Sequence, residues 1–511
     1  MRLSSRLRSA RSLFVPSGNE KEPRPTRLRK RAMSVRLSLE LLEDRTVPST
    51  FTVLNLADSG LGSLREAILD ANANPGANLI RFAPSARDGT VVLTSGELNI
   101  TDNLEIDGPG ADRLAVSGND SSRVFRINSG VAVSIDGLTV THGRAVGQGG
   151  GILNAGTLTV SHAILSDNLV GGVPGATLGT VVDAFGGGIF NTGTLTVSHT
   201  RFVHNQAIGA DGTSSTIGSS ATGGAISSVG TATAPATATV SHCTFLGNQA
   251  VGGAAGIGAS RAGLGGAIQN SAGTFTVSHS VFHNNQAVGG LDNGLPGGFG
   301  AGVGGAIANV ARFGSAFLSV SHSTLMNNRA VGGAADAGPI GQNGRGGAIA
   351  NYVFGGVPPP VTVTATARID HSTLVGNQAI GGAGPPGGTG QGGGIANENG
   401  GVLTVSNSLI ALNQAIGGVG DGTSGNGLGG GIFNGGPSPV GTPSLALQRS
   451  LVALNQAEGG AAGGGGSAGL GQGGGLYLTP SGVAFADLLT AILTNHASTS
   501  DNDVFGVLTL I

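Results

Sequence analysis

The chain has no tryptophan, one cysteine, two tyrosines and no lysine beyond residue 30. Each absence excludes something. Aromatic residues are 4 % of 511, so a thick aromatic core is excluded and a sugar-stacking cleft is not expected. A lone Cys243 excludes an intrachain disulfide framework. No run of 18 apolar residues occurs, which excludes a transmembrane helix, and the N-terminal "RSLFVPS" is too short for an ordinary secretory apolar segment. Charged residues are 11 %, and 12 of the 26 basic ones lie in residues 1–50. The remaining 461 residues carry 14 basic and 23 acidic groups, so nucleic acid is not an expected partner of the body.

What is abundant is glycine, 96 residues, without the three-residue period of collagen. Ala, Val, Leu and Ile keep the hydrophobic content at 39 %, too high for simple disorder. A stacked repeat, which needs only a thin aliphatic core at each step, reconciles the two. The repeats are explicit. "GG[GA]I-x-N" is followed by "LTVSH" and then by an apolar residue three before an asparagine, at Asn168, Asn205, Asn248, Asn285, Asn328, Asn377, Asn413, Asn455 and Asn495. The intervals are 37, 43, 37, 43, 49, 36, 42 and 40 residues. Rigid spacing inside a variable period indicates a fixed core with a variable insertion.

That core is legible in "GGGIFNTGTLTVSHTRFVHNQA" (Gly186 to Ala207), with strand-like patches at Ile189, at Leu195 and Val197, and at Phe202. Three short strands per turn, stacked ~4.8 Å apart, describe one rung of a parallel β-helix. The expected fold is therefore all-β, a right-handed parallel β-helix solenoid with a short N-terminal capping helix. Gly-rich segments such as Ala250 to Gly266 are expected to be loops leaving one corner; two rungs per repeat is the alternative, weakened by how few apolar residues these segments hold. The expected domains are a basic leader over 1–50, a cap with the first coils over 51–144, nine repeats over 145–500 and a tail over 501–511.

The cap is expected in "DSGLGSLREAILDANANPGANLIRF" (Asp58 to Phe82). Ser63 and Glu66 form a capping box, Leu64, Ala67, Ile68 and Ala71 line one helical face, and Asn74-Pro75-Gly76 stops the helix. Arg65 and Glu66 read as cap and solvent face rather than catalytic groups. These residues resemble the "SLREAI" module that precedes right-handed parallel β-helices in many bacterial surface proteins, with Gly62 where that family has cysteine. "LELLEDRTVPS" (Leu39 to Ser49) resembles the N-terminal signature of planctomycete surface and secreted proteins, which implies export. The "GGAI" and "FxxN" pairs (Gly265 to Ile268, Phe282 to Asn285) resemble the repeats of chlamydial polymorphic outer membrane proteins. That resemblance implies a surface location and an adhesin-like role; those proteins end in a transmembrane barrel, for which "DNDVFGVLTLI" leaves no room.

One slot, six residues before each repeat asparagine, holds His162, His199, His242, His279, His322, His371, Asn407, Arg449 and Leu489. The Asn replacement suggests a left-handed corner, which both Asn and His tolerate. A metal ladder is the alternative, but stacked histidines offer poor tetrahedral geometry and only His371 has an adjoining carboxylate, Asp370. Leu165, Phe202, Phe245, Phe282, Leu325, Leu374 and Ile410, with Val452 and Ile492, are the expected internal apolar ladder. Outward Thr–Ser pairs (Thr159 with Ser161, Thr196 with Ser198, Thr239 with Ser241, Thr276 with Ser278, Thr404 with Ser406) make a flat hydroxyl face, either solvated surface or a glycan or ice contact. Cys243 reads as a small residue in a small slot.

The pectin-degrading enzymes that share this fold need clustered carboxylates, either as an acid/base pair or as a calcium site with an abstracting Arg or Lys. The acidic residues are scattered, no Asp-Asp pair occurs, and "THGR" (Thr141 to Arg144) lacks the partner motifs of polygalacturonases. Asp211, Asp292, Asp336 and Asp421 are candidate calcium contacts, in a pattern unlike the Gly-rich nonapeptide repeat. No catalytic, cofactor-binding or metal residue and no cofactor is expected. The expected function is a non-catalytic exported or cell-surface protein touching polysaccharide or another surface protein; the alternative is a polysaccharide lyase or hydrolase of pectin-lyase-like fold.

Overall fold

The computed structural model describes residues 49–256, 261–292, 300–335, 341–354, 363–436 and 441–511. Residues 1–48, which hold most of the expected leader and of its "LELLEDRTVPS" motif, and Asp336 lie outside this set, while Ser49 and Thr50 begin the first strand. The described residues form a right-handed parallel β-helix. Its strands lie in five parallel sheets, and each strand pairs with its equivalent one coil away. There is one coil per repeat.

Each full coil follows one order, here from Gly186. A strand at Ile189–Asn191 belongs to the Ile sheet and one at Thr194–Ser198 to the hydroxyl sheet. Arg201–Val203 joins the Phe sheet and Gln206–Ile208 the Gln sheet. The Gly-rich segment follows, and a two-residue strand at Ala221–Thr222 joins a fifth, short sheet. Strand alternation puts Leu195, Val197 and Phe202 inside, all 0–1 % exposed, with Ile189 beside them.

Three residues per coil turn the chain, and all have positive φ. A glycine precedes the Ile strand, as at Gly265 (φ +66°), where an added Cβ would stand 2.0 Å from the Ile268 carbonyl oxygen. The histidine slot follows the hydroxyl strand (φ +44° to +54° from His162 to His371), and Asn407 and Arg449 keep it at +48° and +47°. Leu489, the last member, is 73 % exposed and outside this region. The third corner is the residue before the repeat asparagine: Asp167, His204, Gly247, Asn284, Asn327, Gly376, Leu412, Leu454 and Thr494. His142 of "THGR" also occupies it, at +47°.

The repeat asparagines are buried and joined in series. The Nδ2 of each donates to the Oδ1 of the next, from Asn168 to Asn495, at 2.9–3.0 Å. Asp503 ends the row by accepting from Asn495 at 2.9 Å. Residues 501–511, read from sequence as a tail, thus close the last coil, and Val504–Phe505 and Thr509–Leu510 add strands to two sheets. A second row runs through the Ile sheet, as in Asn309 to Asn351 to Asn397 at 2.8 Å each.

The Gly-rich segments are not simple loops. Where they are described, they leave the Gln sheet and return as arms that hydrogen-bond to each other and to the coils on either side. Gly388 N–H donates to the Gly382 carbonyl of its own coil, Gly418 N–H to Gly388, Gly425 N–H to Gly418, and Gly460 N–H to Gly425, at 2.8–2.9 Å. This backbone zigzag leaves no space for side chains; a Cβ on Gly418 would stand 2.0 Å from the Gly382 oxygen. Gly418→Ala is expected to cost about 1–3 kcal/mol through forced backbone shifts. Gly422→Ala, at an exposed tip with nothing within 4 Å, is expected to cost nothing measurable. Urea melts of the two variants check this; equal melting would show that the arms do not brace the solenoid.

The capping helix runs Leu64–Ala73 with Ser63 as N-cap, its Oγ accepting from Glu66 N–H at 3.2 Å. Leu64, Ala67, Ile68 and Ala71 are buried against the first coils. The capping box is half made, because Ser63 N–H donates to Gly60 O instead of to Glu66. Arg65 is not a solvent-face residue: it pairs with Asp58 at 2.7 Å and donates to the Gly96 and Glu97 carbonyls, tying the helix to the adjoining turn. Among the described residues no helix is long and apolar enough to cross a membrane.

Candidate functional site

The surface with the most continuous chemistry is the outer side of the hydroxyl sheet and the corner beside it. Pairing register aligns Ser161, Ser198, Ser241, Ser278 and Ser321 in one column, and Thr159, Thr196, Thr239, Thr276 and Ser319 in the next. Both columns are interrupted in the following coil, where Arg368 and Asp370 take the two places. Thr404 and Ser406 restore them.

Beside the serine column stand the six imidazoles, all exposed. Identical backbone corners force the rings into register, and successive centroids lie 4.9–5.1 Å apart with planes within 17°. Asn407 continues the row with its φ but not its bonding: its Nδ2 donates to Asp370 Oδ1 at 2.9 Å, not to another amide. The row of bonded amides lies elsewhere, in the buried repeat asparagines.

A carboxylate stands at each end of the stack. Asp136, in the serine column one coil before His162, accepts from Ser161 Oγ at 2.5 Å and contacts His162 Nδ1 at 2.8 Å. Burial raises its pKa, but those hydrogen bonds outweigh it and hold the group below its ordinary value. Asp370 contacts His371 Nδ1 at 2.7 Å and Ser406 Oγ at 2.7 Å. Hydrogen bonds from Asn407 first, then Ser406 and His371, hold its carboxyl well below the usual range, against a smaller opposing effect of burial. Since Asp370 is ionised, His371 Nδ1 carries the proton and Nε2 is the basic nitrogen. Among the described residues no carboxylate lies within salt-bridge distance of His199, His242, His279 or His322. Asp370 adjoins its histidine in sequence, whereas Asp136 lies 26 residues before His162, and its one local signal is an Asp where the next coils have Ser.

Just past His371 the corner opens into a shallow groove of 580 Å³, lined by His371, Thr373, Asn407, Leu409, Arg449 and Leu451 among others. Among the described residues no three His, Cys, Asp or Glu side chains converge as a metal site. Of the loop carboxylates, Asp211 accepts from Ala254 N–H at 2.8 Å and Asp292 from Gln342 Nε2 at 2.8 Å, so both tie one coil to the next.

Inside, Leu165, Phe202, Phe245, Phe282, Leu325, Leu374 and Ile410 are 0 % exposed and stacked in register. Cys243 lies 2 % exposed in a row of small hydroxyl residues, with Sγ 3.1 Å from the Ser241 carbonyl oxygen. Burial pushes its thiol up to about 11, away from the reactive thiolate. Native protein is expected to resist a thiol-specific reagent at pH 8 and to react stoichiometrically in denaturant; fast labelling of the folded chain would contradict this.

The sequence matches no family model and no curated protein. Several solved structures are similar in fold. Tailspike protein 3 of bacteriophage CBA120 is 10 % identical over 88 % of this chain and 61 % of that one, with a TM-score of 0.40. This chain thus spans about three fifths of the tailspike's length. The catalytic unit of a GH87 α-1,3-glucanase from Streptomyces thermodiastaticus is 15 % identical over 81 % and 69 %, with a TM-score of 0.34. Alginate lyase AlyF-OU02 is 9 % identical over 87 % and 86 %, with a TM-score of 0.34.

Proposed function

We propose that this is a non-catalytic, exported or cell-surface β-helix protein that holds extended polysaccharide against its hydroxyl sheet. The observation that carries this reading is the unbroken register of two hydroxyl columns and the imidazole row over five consecutive coils. Hydroxyls at a fixed repeat along a rigid axis are pre-arranged to exchange hydrogen bonds with a polymer of hydroxylated units, and rigidity lowers the ordering cost of binding. Export is supported by the resemblance of residues 39–49 to the planctomycete signature, and a surface role by the repeats. Retention of the full chain on insoluble polysaccharides, without release of reducing or unsaturated sugar, is the expected result. A threefold Thr196→Val, Thr239→Val, Thr276→Val variant, which keeps strand propensity, should lose most of that retention. No retention by the parent chain on any polysaccharide would overturn the reading.

A second reading, a polysaccharide lyase, is favoured by one feature. The Asp370–His371 pair beside the groove has the geometry of an oriented base, with Arg449 on the same wall to offset substrate charge. If it operates, polyuronates yield unsaturated product and His371→Ala abolishes it; no product from the parent chain removes this reading.

A further inference from the structure

We propose that the stack from His162 to His371 is a proton-gated stripe for a linear polyuronate lying along the solenoid axis with its carboxylates over the imidazoles. The inference rests on the reading of the hydroxyl sheet as a polysaccharide surface and names the class of polysaccharide. Three observations carry it.

The first is repetition. Six rings at 4.9–5.1 Å offer a regular row of ring nitrogens along the solenoid axis, and a linear polyuronate offers one carboxylate per sugar. The second is charge. An imidazole gains its positive charge just below neutral pH. The end rings face Asp136 and Asp370, so charge there is already compensated. The four interior rings face no carboxylate among the described residues. Other charged or titratable side chains on the outward columns of the flanking strands are Arg201 and His283 on the Phe sheet and Arg368 on the hydroxyl sheet, none of them acidic. Protonation of the interior rings therefore creates uncompensated positive charge, and adjacent rings repel each other until an anion settles over them. The third is the surrounding chemistry. The serine and threonine columns run parallel to the rings and suit sugar hydroxyls. The same surface lacks the aromatic platforms and dense Arg or Lys that single-stranded or duplex nucleic acid requires.

Binding is thus coupled to proton uptake by the interior rings, and affinity rises as pH falls, by up to tenfold per pH unit for each proton taken up. The rise ends where the uronate carboxylates themselves protonate, near pH 4. The test is fluorescence anisotropy of labelled oligogalacturonate with the full chain at low salt, at pH 5.5 and 7.5. A neutral α-glucan oligosaccharide and a DNA oligonucleotide run in parallel. The variant replaces the interior rings by the residue the corner itself uses next, in His199→Asn, His242→Asn, His279→Asn and His322→Asn together. If that variant melts early, the alternate-coil pair His199→Asn, His279→Asn carries the same comparison. The expected result is oligogalacturonate binding at least tenfold tighter at pH 5.5, with the gain lost in the variant and absent for the glucan. A gain that survives in the variant, or affinity that does not change with pH, overturns the gated stripe while glucan or uronate binding still supports the polysaccharide surface. An equal acid-induced gain for DNA overturns the choice of polyuronate. No binding of either sugar at either pH overturns both this proposal and the surface it rests on.

Discussion

Asn285→Leu is expected to lower the stability of the solenoid by about 3–5 kcal/mol, because several buried polar groups lose partners at once and each orphan costs about 1–3 kcal/mol. Asn285 Oδ1 accepts from both the backbone N–H and the Nδ2 of Asn248, at 3.0 and 2.9 Å. Its Nδ2 donates to the Phe245 carbonyl and to Asn328 Oδ1. Leucine matches the volume and supplies none of these bonds. Asn285→Asp keeps the shape but turns the donor into an acceptor facing two other acceptors, so it is expected to be no better. The neighbouring Asn284, exposed at φ +56°, provides the contrast. Asn284→Gly relieves a left-handed corner and is expected to leave stability within about 0.5 kcal/mol of the parent. Urea unfolding followed by circular dichroism distinguishes them. A loss below about 1 kcal/mol for Asn285→Leu would show that the coils do not depend on the amide row.

Phe245→Ala is expected to cost about 3–5 kcal/mol, the usual range for emptying a buried aromatic site. The ring is fully buried between Phe202 and Phe282, with centroids 4.7 and 4.5 Å away and planes within 2°. Identical register forces these parallel stacks, at centroid separations that stacked rings tolerate. The gain is therefore burial and close packing, and the loss is the cavity. A solenoid's stability is carried by neighbouring coils, so the damage is local. Hydrogen exchange should quicken first in the coils that hold Phe202, Phe245 and Phe282, while the capping helix keeps its protection. Uniform loss of protection along the chain would contradict a neighbour-coupled solenoid. Thr239→Ala, exposed on the same coil, is the control and is expected to change stability by less than about 0.5 kcal/mol.

Much of this architecture can be read without coordinates. Alternation in "LTVSH" and the recurrent Phe or Leu state which side chains point inward, since strand geometry leaves only two faces. The Asn replacing His at position 407 points to a left-handed corner because few residue types tolerate one. The helix at Leu64–Ala73 follows from its cap and its 3.6-residue stripe. These are local signals, each confined to a handful of adjacent residues.

What the tertiary structure decided is which residues meet across coils. The asparagine rows join side chains 36 to 49 residues apart, and the variable insertion between them hides the register until the coils are stacked. The Gly-rich arms were read as loops because backbone-to-backbone hydrogen bonding leaves no side-chain pattern to detect; glycine there records the absence of space. Asp136 and Asp370 become the two ends of one imidazole row only when five intervening coils are wound between them. Sequence determined the coil, because its forces act between near neighbours along the chain. Stacking determined the surface, because its hydrogen bonds and charges act along an axis that the chain crosses once per turn.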